Sequence, residues 1–159
     1  MKTIRPSEKQ LDNFVNGSFD DKPIVMLNML KFREQAEYED GAPDARVRSG
    51  QEAYEIYSKA VAPIMWAVGG QVLWAGQANS TLIAPEGEDW DRMFLVRYPS
   101  RSALIKMTSS PAYQKVAFHR TAALENSRLF ETRKIKLPTL ILWVLRKVQR
   151  IKALFVKVV

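Results

Sequence analysis

A chain of 159 residues, 47% apolar and 26% charged, has the length for one domain with a sizeable core and is too apolar for disorder. It has no cysteine, which excludes disulfides, thiolate catalysis and iron–sulfur clusters, and its one histidine, His119, excludes a multi-histidine metal site. The net charge of +7 sits at one end: Arg133, Lys134, Lys136, Arg146, Lys147, Arg150, Lys152 and Lys157 stand without an acid, while all 17 acids precede them. The body is close to neutral, and only the tail has the charge to seek an anionic partner.

Ser7 reads as the N-cap of a short helix through Lys9, Leu11, Phe14 and Val15, closed by Gly17. Residues 24–30 form an apolar run rich in β-formers, which predicts a strand covered on both faces. Residues 33–49 are charged and punctuated by Gly41 and Pro43, and are expected as an exposed loop. From Gly50, the spacing of Tyr54, Tyr57, Val61, Ile64 and Val68 predicts an amphipathic helix, kinked near Pro63 and closed by a left-handed turn at Gly69-Gly70. A strand over 71–75 is expected to continue to Leu82-Ile83, and the next covers 90–98. Ser100 and Ser110-Pro111 open two helices, the second reaching about Leu124, and residues 127–133 alternate as a last strand.

This order predicts an α+β fold with a ferredoxin-like βαββαβ protomer. It carries an extra N-terminal helix over 1–20, a body over 21–134, and a C-terminal basic amphipathic helix over 135–159. The first and third strands are apolar on both faces, so a second copy of the sheet is the expected cover, giving a homodimer. No apolar run follows Met1-Lys2, so no signal peptide is expected and the compartment is read as cytoplasmic, with peripheral contact at the inner membrane face left open.

Several stretches carry a family resemblance: Met26-Leu27-Asn28-Met29-Leu30-Lys31-Phe32, Ser49-Gly50, Tyr54-Glu55-Ile56-Tyr57, Glu88-Asp89-Trp90-Asp91, Arg97-Tyr98-Pro99-Ser100 and Ser110-Pro111-Ala112-Tyr113 with His119-Arg120. Over roughly residues 22–133 the chain resembles the domain-of-unknown-function "thirteen-thirty" family of the dimeric α+β barrel superfamily. The resemblance implies a homodimer of ferredoxin-like protomers and names no reaction. The wider superfamily mixes cofactor-free monooxygenases, haem-degrading enzymes, lactone isomerases and members without known catalysis.

Candidate chemistry centres on the helix from Pro111. Arg120 falls in its apolar arc with Tyr113, Val116 and Ala123, and His119 at the edge. A guanidinium there needs acceptors, either internal (Asp91 is the candidate) or from an anionic ligand. His119 is the natural general acid or base, or a helix histidine bonded to a backbone carbonyl, or an axial haem ligand. Asn28, Tyr57, Trp74, Trp90, Arg97 and Tyr113 are the candidate ligand-lining residues, each with a packing alternative. No phosphate loop, dinucleotide fingerprint, metal-ligand spacing or nucleophile elbow is present, and no cofactor is expected. A cofactor-free enzyme would abstract a proton from, or oxygenate, a small organic acid or carbonyl compound, with His119 taking the proton and Arg120 or Asn28 holding the oxyanion. The alternative is a non-catalytic dimer recruited by its tail. There Leu137, Leu140, Ile141, Val144, Leu145, Val148, Ile151 and Phe155 form a helical stripe that fits either docking on the body or a membrane interface, and no nucleic-acid motif accompanies it.

Overall fold

The computed structural model describes residues 2–17 and 22–132. In chain order these form α1 (Glu8–Asn16), β1 (Ile24–Phe32), α2 (Gly50–Ala67), β2 (Gln71–Gln77), β3 (Arg92–Tyr98), α3 (Arg101–Thr108), α4 (Pro111–Ala123) and β4 (Leu124–Thr132). All four helices start at a serine. The hydroxyls of Ser7, Ser49, Ser100 and Ser110 each accept a backbone N–H three residues on, a cap worth about 1 kcal/mol. Gln10 and Glu52 complete capping boxes at the first two. α2 runs unbroken across Pro63, and Gly69 turns the chain at φ +79° as its sequence suggests.

The sheet has the order β2-β3-β1-β4 with every pair antiparallel, the ferredoxin-like arrangement. Register divides its residues between two faces. Ile24, Met26, Asn28 and Leu30 of β1 lie with Phe94, Val96 and Tyr98 of β3 on the helix side. There Met26 and Val96 pack with Met65 and Leu104, while Leu30 packs with Ala53, Tyr54, Tyr57 and Ala123. Val25, Leu27 and Met29, opposite Arg97, Leu95 and Met93, lie on the other face, with Trp74 and Phe130 as cross-strand neighbours. No described element covers this face, and Trp74 and Phe130 are half exposed on it. Gly76 gives the Trp74 indole its seat, since a Cβ at Gly76 would lie 2.5 Å from the ring.

Four expectations need correcting. The β2 strand ends at Gln77 rather than reaching Ile83; Leu82 and Ile83 are 93% and 92% exposed in the loop that follows, where no strand partner is available to them. β4 begins at Leu124, directly from α4, because Leu124 already has extended backbone. Residues 33–49 are irregular but not all exposed: Ala36 is buried, and Arg33 and Ala36 bond back to Ala123 and Arg48. Asp91 is not the partner of Arg120; its carboxylate accepts from the Phe32 N–H at 2.6 Å and lies 3.2 Å from the Lys31 ammonium. The N-terminal segment lies along the outer edge of β4, where the Ser127 N–H donates to the Thr3 carbonyl at 2.7 Å. The basic helix expected over 135–159 lies outside the described residues.

Candidate functional site

α4 carries His119 and Arg120 side by side, and the helical turn sends them to different partners. His119 is 7% exposed. Its Nδ1 lies 2.8 Å from the Tyr38 hydroxyl, the Phe118 ring stacks on it at 4.1 Å, and the Tyr38 ring meets it edge-on at 5.6 Å. Burial holds the imidazole below its ordinary pKa, opposed by Asp44 and assisted by Arg48. Burial likewise raises the Tyr38 phenol, with Arg48 opposing. The pair is therefore a neutral imidazole against a protonated phenol. With the ring proton on Nδ1, donated to the Tyr38 oxygen, Nε2 is a base; with the proton on Nε2 and the Tyr38 hydroxyl donating to Nδ1, Nε2–H is a neutral hydrogen-bond donor.

Arg48 completes this neighbourhood. Its side chain is 10% exposed, its Nη2 donates to Asp44 at 2.9 Å, and its Cζ stands 5.6 Å from the centre of the Tyr38 ring. Nη1 is buried and has no hydrogen-bond partner. Asp44 is shared, since Arg46 Nε also lies 3.2 Å from the same oxygen. Beside the cluster, Phe118, Thr121 and Gln114 of α4 face residues 39–43 across a cavity of about 420 Å³.

Arg120 points elsewhere. Nη1 donates to the Ile4 carbonyl at 3.0 Å and Nη2 to the Ser127 hydroxyl at 3.3 Å. Among the described residues no carboxylate stands within 4.0 Å of it, so its acceptors are neutral. A second hollow of about 580 Å³ opens beside Ile4, lined by Lys2, Arg33, Gln35 and Glu125. Tyr57 donates to the Tyr113 hydroxyl at 3.4 Å in the core, and burial pushes the Tyr54 and Tyr57 phenols far above their usual range and Tyr98 up to about 12.

The remaining sequence candidates do not converge on one site. Asn28 faces the helices but donates to its own strand at the Met26 carbonyl, 3.1 Å away. Arg97 and Trp74 lie on the open face of the sheet. Trp90 is buried, with the Arg128 guanidinium 5.3 Å from its ring. Tyr38, Asp44, Arg48 and Phe118 were not among the sequence candidates. The available signal was that Tyr38 is the one aromatic residue between Phe32 and Tyr54. Among the described residues, no group of three or more histidines or carboxylates is placed to hold a metal ion, and no helix is long and apolar enough to cross a membrane.

Residues 44–131 match the family model described as Domain of unknown function (DUF1330). The chain belongs to this family. Within DUF1330, the match covers Asp44, Arg48, His119 and Arg120, and starts after β1 and Tyr38. The crystal structure of methylated RPA0582 protein is 36% identical, with TM-score 0.78 over 85% of this chain and 96% of that one. A second crystal structure of RPA0582, a protein of unknown function from Rhodopseudomonas palustris, is 34% identical, with TM-score 0.78 over 86% of this chain and all of that one. A dimeric ferredoxin-like protein of unknown function from Jannaschia sp. CCS1 is 13% identical, with TM-score 0.47 over 70% of this chain and 99% of that one. No curated protein matches the chain.

Proposed function

We propose that this DUF1330 protein is a homodimer that binds a small organic acid or carbonyl compound beside His119 and moves a proton on it without a cofactor. The observation that carries this reading is the buried contact between the His119 Nδ1 and the Tyr38 hydroxyl. Burial keeps the imidazole neutral near physiological pH, so it can accept a proton there and return it once charged, and Tyr38 on Nδ1 leaves Nε2 to do so. The apolar open face of the sheet, with Leu27, Met29, Leu95, Trp74 and Phe130, supports pairing with a second copy, because a single layer of helices leaves that face wet.

The test is solvent exchange. The protein is incubated in D₂O with pyruvate, acetoacetate or acetone, and loss of the carbon-bound proton next to the carbonyl is followed by NMR. Exchange faster than buffer for at least one compound, reduced at least tenfold in His119→Gln, is expected. Exchange at the buffer rate for all three, or an unchanged rate in His119→Gln, rejects the reading.

The charge split supports a second reading, a non-catalytic dimer brought to an anionic surface by residues 137–159. Co-sedimentation with phosphatidylserine vesicles should then fall when Arg146, Lys147, Arg150 and Lys152 are replaced by glutamine in the full chain. Equal partitioning of the two proteins rejects it.

A further inference from the structure

We infer that Arg48 is an anion anchor beside His119, so that the ligand of this site carries a carboxylate. The inference rests on the proposal that the ligand meets His119, and narrows the ligand from organic acids and neutral carbonyl compounds to the acids.

The first observation is a donor without an acceptor. A guanidinium has five N–H groups and cannot shed its charge. Arg48 is nine-tenths buried, and its internal acid meets only one end of the fork: Nη2 reaches Asp44, and Nη1 reaches nothing. A buried charged donor left unpaired is costly, and the arrangement persists only where something else offsets it. The second is position. Arg48 stands against the Tyr38 ring, and the Tyr38 hydroxyl touches His119. A carboxylate on Nη1 therefore brings the rest of a small molecule within reach of the acid–base pair.

The space beside the cluster is compatible with an anion. The 420 Å³ cavity is lined by chain neighbours of three members: Glu37 and Glu39 flank Tyr38, Pro43 precedes Asp44, and Phe118 precedes His119. Two of the acids there are already engaged, Glu37 with Arg33 at 2.9 Å and Glu39 with Arg5 at 3.3 Å. Lys115 and Asp40 also line it.

His119 is the only histidine, so its ring protons give an isolated NMR signal. The full-length protein is titrated with sodium acetate and, separately, with acetamide, at fixed pH and at constant ionic strength set with chloride. A saturable shift of the His119 signal with acetate and none with acetamide is expected. Arg48→Gln should weaken acetate at least tenfold. Asp44→Asn, which removes the competing internal acid and leaves the cation, should tighten it by about two- to fivefold; this variant decides the matter should Arg48→Gln fail to fold. Equal shifts with acetate and acetamide, or acetate affinity unchanged or weaker in Asp44→Asn, overturn the anchor and leave ligand binding beside His119 standing. No shift with either compound overturns both.

Discussion

Replacing Tyr38 with phenylalanine removes one oxygen and leaves the ring. The ring's contacts, with Phe118 at 6.0 Å and with the Arg48 guanidinium at 5.6 Å, do not need the hydroxyl. What is lost is the 2.8 Å hydrogen bond to Nδ1 of a buried imidazole, and that nitrogen finds no other partner in the described structure. A neutral hydrogen bond contributes about 1 kcal/mol net, and leaving its partner buried and unpaired costs about 1–3 kcal/mol. We expect Tyr38→Phe to lose about 1–2 kcal/mol, which in a chain of this size lowers Tm by about 2–8 °C. Urea denaturation followed by circular dichroism measures the loss, and thermal unfolding checks it. The cycle with His119→Phe completes the test: the two substitutions together should cost less than their sum, since each removes the same bond. A loss below about 0.3 kcal/mol in Tyr38→Phe, or strict additivity in the cycle, refutes the hydrogen bond as a structural element of the site.

Three further outcomes are expected. Burial holds His119 below its ordinary pKa of 6.5, so the unfolded chain takes up this proton first; the stability from this site is complete above about pH 6.5 and falls as pH drops through the interval down to the folded value, and His119→Gln should flatten that segment of a stability–pH curve. In Gly50→Ala the new Cβ would lie 2.5 Å from the carbonyl oxygens of both Arg33 and Ala123, main-chain atoms that cannot swing aside, so urea denaturation should show a loss of about 1–3 kcal/mol; a neutral result would mean that this junction is loosely packed. Leu27→Asp puts a charge in the middle of the open sheet face, and sedimentation velocity should show a dimer for the parent and a monomer for the variant; the same species for both contradicts pairing through that face.

The parts of the fold that were legible in the sequence rest on local chemistry. Ser7, Ser100 and Ser110 announce helix starts because a hydroxyl can take an N–H that the helix leaves free. β1 is readable because a run apolar at almost every position can only sit between two covers. The site was less legible because its contacts are tertiary. His119 stands out as the only histidine, but its partner Tyr38 lies 81 positions away in a stretch whose charges mark it as solvent-facing. The apolar arc containing Arg120 is visible from spacing, yet its acceptor is a main-chain carbonyl at Ile4, which has no signature in any side chain. Arg48 reads as one cation among several in its loop, and only burial separates it from the exposed Arg46. Leu82-Ile83 misleads in the opposite direction: apolar, with Ile83 β-branched, the pair suits a strand, but the described residues supply no neighbour to bond with it.

The two borders of the sheet are unlike. At the β4 border the Thr3 carbonyl already occupies the Ser127 N–H, and Asn126 holds the Thr3 amide in return, so the chain's own first residues act as a fender there. The β2 border has no such guard among the described residues, and Val72, Leu73 and Trp74 are half exposed along it. The two rims therefore differ in how openly they present their main chain: Thr3 takes up one rung at β4, and no described residue does the same for β2.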